Sequence, residues 1–285
     1  MPMYWRTLIR VDELARRLDD CVVVDCRHDL TDPRYGPAAW ADTHLPGAFF
    51  LHQDHDLAGA RTGMNGRHPL PDRETLRRKL ESIGLVDGRQ LVAYDENGGM
   101  FAARLWWLSR WLGHAEVAVL DGGLPEWRAA GHALTREAPT ARPRGALTLH
   151  AARTAQVDAA QLQAQLGTGR LHVVDARAPE RWRGEVEPLD PVAGRIPGAV
   201  NRPHTENLQP DGRFKSPQAL RAEFTALLDG RDAASLVHHC GSGVAACHNL
   251  LAMEIAGLSG AALYPGSWSE WCADPARPVA VGAAD

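Results

Sequence analysis

The sequence predicts an α/β protein made of two copies of one fold, each a mainly parallel sheet flanked by helices on both faces. Three observations carry that expectation. First, four segments recur in one order, 144 to 151 residues apart: Val22-Val-Val-Asp25-Cys-Arg27 with His172-Val-Val-Asp175-Ala-Arg177, His44-Leu-Pro-Gly-Ala48 with Arg195-Ile-Pro-Gly-Ala199, Leu91-Val-Ala-Tyr-Asp95 with Leu236-Val-His-His-Cys240, and Asp121-Gly-Gly-Leu-Pro-Glu-Trp127 with Pro265-Gly-Ser-Trp-Ser-Glu-Trp271. Second, short apolar runs alternate with stretches of helical period in both copies, the pattern of strand–helix units that build parallel sheets. Third, 285 residues exceed the roughly 100–200 residues typical of one domain.

The elements follow in chain order. Val22–Asp25 is an apolar strand. Pro71-Asp72 opens a helix through Leu76, Leu80 and Ile83, and Leu91–Tyr94 is the next strand. Ala102–Leu112 is an apolar helix rich in tryptophan (Trp106, Trp107, Trp111) and stopped by Gly113, and Val117–Leu120 is a third strand. The second copy repeats the series with Val173–Asp175, Pro217–Leu228, Leu236–His239, Ala245–Ala256 and Ala261–Tyr264. Between the copies, Glu137–Gly145 carries two prolines, a glycine and no apolar period, the signature of an exposed connector. The expected boundaries are therefore 1–137 for the first domain, 138–152 for the linker and 153–285 for the second domain.

Composition excludes several classes of function. Apolar residues at 45% and charged residues at 23% fit an ordinary soluble globular chain, not a disordered or fibrous one. A net charge of −4 with a pI near 6.3 provides no basic field to attract nucleic acid or anionic lipid. The longest apolar runs, such as Cys21–Val24, fall far short of the roughly 18 residues a membrane-spanning helix needs. The N-terminus lacks the apolar core of a secretory signal. Five cysteines, an odd number, make no disulfide framework, so thiols in a reducing cytoplasm are expected.

Ligands of open α/β sheets gather at the carboxyl ends of the strands. The strand Ser235–His239 ends in the tight loop Cys240-Gly241-Ser242-Gly243-Val244-Ala245-Ala246, which runs into a helix stopped by Gly257. Gly241 and Gly243 permit positive φ, so successive N–H groups can turn inward. The helix N-terminus adds partial positive charge. Both favour a thiolate, the form in which cysteine is a nucleophile. At the matched position the first copy has Asp95, in Asp95-Glu-Asn-Gly-Gly99. A carboxylate cannot do thiol chemistry, so the first copy is expected to be inactive and to act as scaffold.

Other readings of this loop fail on its own residues. Gly241-x-Gly243-x-x-Ala246 formally matches a dinucleotide fingerprint, but the next strand ends without the acidic residue such a site needs. A cysteine phosphatase loop requires an arginine six residues after the cysteine, and Ala246 stands there. Cys240 and Cys247 are seven apart, and Cys21 and Cys26 are five apart. Neither pair has zinc spacing or a completing histidine pair, so no metal is expected. Cys26, Cys247 and Cys272 are expected to pack, and His68, His238 and His239 to be structural. Lys215, just before the N-cap Ser216, is expected to be solvated.

With these residues in view the chain resembles the rhodanese family of sulfurtransferases over essentially its whole length, as the tandem form with an inactive first copy. Cys240-Gly-Ser-Gly-Val-Ala-Ala is similar to the loop signature of the mercaptopyruvate-using branch, and the His-x-Pro-Gly-Ala, Asp-Gly-Gly…Glu-Trp and Pro-Gly-Ser-Trp segments are also typical. The resemblance implies a ping-pong reaction without a cofactor, in which Cys240 takes a sulfane sulfur as a persulfide and passes it to cyanide, a small thiol or a reduced thioredoxin-like protein. It implies that Gly241, Gly243, Val244 and Ala245 line the donor site, and it matches Arg181 to the donor-binding arginine. Arg183 is a second candidate there, and Arg177 is an expected structural anchor paired with a nearby acid. Ser242 could act with His44 on a thiol or carbonyl, or could cap the following helix.

The chain departs from the pattern at three places. Leu189 stands where animal mercaptopyruvate enzymes align a second arginine, Ala245 replaces the loop threonine, and Arg195 replaces the second motif's histidine, where it could supply the missing charge or face solvent. Thiosulfate loops place basic residues directly after the cysteine, whereas Gly241 and Ser242 are neutral. Mercaptopyruvate is therefore the favoured anionic donor and thiosulfate the alternative. The rival class, a non-catalytic sulfur-carrier or binding module, is disfavoured because the second copy keeps both the cysteine and its glycine-rich loop.

Overall fold

The computed structural model describes residues 4–283. It divides into two units, the first comprising 1–59, 71–153 and 209–214 and the second 60–70, 154–208 and 215–285. The first unit runs β1 (Leu8–Ile9), α1 (Val11–Ala15), β2 (Val22–Asp25), α2 (Tyr35–Asp42), β3 (Phe49–Phe50), α3 (Arg73–Ser82), β4 (Leu91–Tyr94), α4 (Ala102–Trp111), β5 (Val117–Leu120) and α5 (Gly123–Ala129). The second repeats the series as β6 (Ala155–Gln156), α6 (Ala159–Gln165), β7 (His172–Asp175), α7 (Pro179–Trp182), β8 (Val200–Asn201), α8 (Pro217–Leu228), β9 (Leu236–His239), α9 (Ala245–Ile255), β10 (Ala262–Leu263) and α10 (Ser267–Trp271).

Each unit holds a five-stranded sheet, in the orders β1-β5-β4-β2-β3 and β6-β10-β9-β7-β8. Every neighbouring pair is parallel, and the two orders are the same topology. The expected α/β fold is therefore the observed one, and the sheets are wholly parallel. The central strands β2, β4 and β5 are buried at all four positions, which is why they read as near-continuous apolar runs rather than as alternation. Helix α3 begins where Asp72 accepts the Thr75 N–H, and α8 where Ser216 accepts the Ala219 N–H ahead of Pro217. Under one face of each sheet lies an apolar core, containing Leu14, Val23, Val92 and Trp127 in the first unit and Leu162, Val237, Trp268 and Trp271 in the second.

The connecting stretch is laid along the first unit. Gly145 N–H donates to Glu81 O (2.8 Å), Leu147 N–H to the Glu81 carboxylate (3.0 Å) and Thr148 N–H to Asp87 (3.0 Å). A Cβ on Gly145 would lie 1.8 Å from Leu85 O, so the close approach requires glycine. Among the described residues no helix is long and apolar enough to cross a membrane.

His238, on β9, is fully buried beside Met253 and Phe224, and burial pushes its pKa down to about 3. Below pH 6.5 an unfolded chain takes up a proton that the folded imidazole refuses, so stability falls as pH falls through that value. Between pH 7 and pH 5 this one group is expected to remove about 2 kcal/mol of unfolding free energy. Denaturant titrations of wild type and His238→Gln at both pH values check this: the wild type loses about that much more than the variant, and equal losses refute the assignment.

Candidate active site

Strand β9 delivers Cys240 to the carboxyl edge of the second sheet, and α9 begins within five residues. The thiol is buried, at 3% exposure. Gly243 N–H donates to Cys240 Sγ at 3.2 Å. That contact needs Gly243 in the left-handed region, at φ 79°, with Pro265 O only 2.3 Å from where a Cβ would stand. At Gly241 the neighbours are the tips of two arginine side chains. Its φ is not positive, but a Cβ there would lie 2.6 Å from Arg67 Nη2 and 3.4 Å from Arg181 Nη2.

The Pro265–Ser269 segment clamps the loop from its other side. Ser267, itself at φ 55°, accepts the Cys240 N–H (3.1 Å) and donates to Tyr264 O (3.0 Å). Trp268 N–H binds Cys240 O (3.0 Å) and Ser269 N–H binds Gly241 O (2.9 Å). The loop's backbone is thus fixed by hydrogen bonds, leaving its side chains to do chemistry.

Around it stands a network of buried charges. Asp175, at the end of β7, takes Arg177 through two guanidinium nitrogens (Nε 3.0 Å, Nη2 2.6 Å) and lies 3.5 Å from His239 Nε2. Burial would raise the Asp175 pKa, but His239 and Arg177 together hold it below the usual carboxylate value. Arg177 also reaches Glu187 (3.2 Å) and Gly194 O (2.7 Å), and its guanidinium lies over the Trp268 ring at 4.9 Å. It is the expected structural anchor. Arg181 pairs with Glu187 (2.6 Å) and lies 3.6 Å from Asp190. Burial raises the Asp190 carboxyl above its ordinary value even though Arg67 and Arg181 oppose it.

The structure brings Cys240, Ser242, Gly241, Gly243 and Arg181 together. Val244, buried, caps α9, and Ala245 opens it. Arg183 spends its guanidinium on the exposed Glu185. Lys215 pairs with Glu223, both partly exposed. His44 spends both ring nitrogens inside the first unit. Its ring nitrogens face Trp40 O and Glu137 O (2.7 and 3.0 Å), tying down the end of the first unit. Arg195 does the same in the second repeat, donating to Gly282 O and Ala283 O and lying over Trp182. It neither replaces the missing charge nor faces solvent.

The imidazole that does reach Ser242 belongs to His68, with Nδ1 2.7 Å from Oγ. His68 and Arg67 lie on the segment 60–70, which groups with the second unit. Arg67 N–H donates to Ser269 Oγ (3.0 Å), and Arg67 Nη1 to Asp190 (3.1 Å). A sequence signal for them existed: Asn65-Gly-Arg-His recurs as Asp211-Gly-Arg-Phe214, a fifth repeat landmark. Residues 209–214 in turn group with the first unit.

The first unit carries the same loop closed on itself. The Asp95 carboxylate accepts N–H bonds from Asn97, Gly99, Phe101 and Ala102 at 2.8–2.9 Å. Elsewhere in that unit His28, His52 and Asp54 have potential ligand atoms within 4.8 Å of one another. His52 donates from Nε2 to Pro33 O and accepts the Asp54 N–H on Nδ1, so its ring keeps no lone pair for a metal.

The duplicated parallel sheets and the cysteine loop have a known counterpart. The rhodanese-like domain profile matches residues 10–130 and again 158–274. The chain belongs to the rhodanese family. Among its rhodanese relatives is a Pseudomonas aeruginosa protein named "Probable 3-mercaptopyruvate sulfurtransferase", 51% identical over 279 residues, with 96% of this chain and 98% of that protein covered. Human 3-mercaptopyruvate sulfurtransferase is 36% identical over 240 residues, covering 81% of this chain and 77% of the human one. The crystal structure of an Escherichia coli 3-mercaptopyruvate sulfotransferase superposes with a TM-score of 0.79 at 29% identity, covering 93% of this rhodanese chain and 99% of that one.

Proposed function

We propose that this rhodanese-family sulfurtransferase moves the thiol sulfur of 3-mercaptopyruvate to a thiol or cyanide acceptor through a persulfide on Cys240, where it becomes a sulfane sulfur. The observation that carries the reading is the Gly243 N–H aimed at Cys240 Sγ at 3.2 Å, in a loop overhung by guanidinium groups. That donor hydrogen bond and the local positive charge stabilise a sulfur anion, whether thiolate or persulfide.

In the first half-reaction the Cys240 thiolate attacks the donor sulfur. The S–S bond forms, the donor C–S bond breaks, and its electron pair leaves on carbon as the enolate of pyruvate, which a proton then quenches. In the second half-reaction the acceptor's lone pair attacks the outer sulfur, the S–S bond breaks, and the thiolate returns. Ser242 Oγ–H, aligned by His68, is the group suited to hydrogen-bond the donor carbonyl as it becomes an enolate oxygen. Asp95 fills the first repeat's loop with its own carboxylate, so that repeat serves as scaffold. The acceptor is a small thiol, a thioredoxin-like protein or cyanide. The place of work is the reducing cytoplasm, where an unpaired nucleophilic thiol survives.

Over the loop the arginines are matched by acids, Arg67 by Asp190 and Arg181 by Glu187. The low net charge suits a monoanion better than the thiosulfate dianion. Side-by-side kinetics test the choice. Mercaptopyruvate is expected to have the higher kcat/KM by about tenfold or more, and Ser242→Ala to lower mercaptopyruvate turnover by about 100-fold while leaving thiosulfate turnover within a few-fold. A higher kcat/KM for thiosulfate overturns the donor assignment. An unaffected Ser242→Ala overturns the role of the serine.

A further inference from the structure

Arg67 comes from the segment 60–70, more than 170 residues before the cysteine loop it overhangs. Its position is built. Gly66 is at φ +82°, with Gly266 O 2.6 Å from where a Cβ would stand. The Arg67 N–H is fastened to Ser269 Oγ (3.0 Å), and Nη1 to Asp190 Oδ1 (3.1 Å). Asp190 is buried beneath it, with its side chain 3% exposed.

Arg67 Nη2 and both Nη atoms of Arg181 lie 2.6–3.6 Å from the point where a Gly241 Cβ would be. Two guanidinium groups therefore converge on the residue directly after the nucleophile, from two separate stretches of chain. Arg67 is also within electrostatic reach of Cys240. Asp190 is the one acceptor its guanidinium meets among the described residues, so Nη2 keeps its N–H groups for a ligand. Planar guanidinium groups grip a carboxylate through charge-assisted hydrogen bonds.

We propose that Arg67 is the second arm of a donor clamp, gripping the substrate's carboxylate together with Arg181, and that Asp190 is a positioning residue that holds Arg67 over the loop. The proposal rests on the sulfur-transfer reading and adds to it a specificity residue from outside the cysteine-bearing repeat.

The test compares wild type, Arg67→Ala, Arg67→Lys and Asp190→Asn. With mercaptopyruvate, Arg67→Ala is expected to raise KM by about 10- to 100-fold, with kcat changed far less. Arg67→Lys should recover part of the loss. Asp190→Asn should raise KM less than Arg67→Ala does, and should add nothing to it in the double variant. A kcat loss with unchanged KM, or no rescue by lysine, assigns Arg67 a structural role and overturns the clamp. A second readout is independent of turnover. Pyruvate, the desulfurised donor, is titrated calorimetrically into each protein and is expected to bind about tenfold or more weakly to Arg67→Ala. Equal affinity, or no binding to wild type, overturns the clamp. Failure of the wild type to form a persulfide overturns the sulfur-transfer reading instead.

Discussion

Cys240→Ser is expected to lose sulfur transfer by roughly 10⁴-fold or more, as removal of a catalytic nucleophile does. A serine hydroxyl is not ionised near neutral pH and cannot hold a sulfane sulfur. The fold should survive the exchange. The side chain is buried but small, and an oxygen still offers the Gly243 N–H an acceptor. No other thiol can substitute. Burial pushes Cys21 and Cys272 up to about 11 and Cys26 well above its ordinary value. Cys247 is fully buried, with its sulfur on Gly243 O at 3.2 Å. Turnover measured beside a thermal melt checks both halves: activity at background with a melting temperature near wild type. Substantial residual turnover would remove Cys240 from the mechanism.

Arg177→Met should instead act on stability. The guanidinium neutralises Asp175 and Glu187, both with side chains exposed by 2% or less. Deleting it strands the buried Asp175 carboxylate and leaves Glu187 to Arg181 alone, and breaking a buried ion pair in this way costs about 3–5 kcal/mol. Adding Asp175→Asn removes the stranded charge, so the double variant should recover part of that loss rather than add to it. Urea unfolding of the two variants decides the matter. A loss under about 1 kcal/mol for Arg177→Met, or an additive double variant, would mean that the network is not the anchor of this loop. The first repeat has the same pair, Arg27 on Asp25.

The repeat landmarks are what made the fold legible. Strands buried on both faces appear as short apolar runs, and β2, β4, β5, β7 and β9 fall at the expected places. The edge strands β1, β3, β6 and β8 have two residues each, too few to show any periodicity, and they exist because a neighbouring strand offers its backbone. The short helices α5 and α10 lay inside recognised motifs, but five to seven residues show little helical period. Cys240, Ser242 and Arg181 were legible because glycine spacing and local motif mark them. Arg67 and His68 had only the Gly-Arg repeat at 66–67 and 212–213 to mark them. Their role depends on where the segment 60–70 comes to rest, and nothing local in Arg-His-Pro says which sheet it serves. His44 shows the converse: a motif histidine whose ring nitrogens tie Trp40 to Glu137 within the first unit.

The central claim is that Cys240 carries the sulfur, and intact-protein mass spectrometry addresses it directly. After incubation with 3-mercaptopyruvate and no acceptor, the wild-type chain is expected to gain one sulfur, about 32 Da, to lose it on adding cyanide, and to show no gain as Cys240→Ser. A wild-type chain that gains no mass with mercaptopyruvate or thiosulfate, or a gain that persists in Cys240→Ser, would contradict the account.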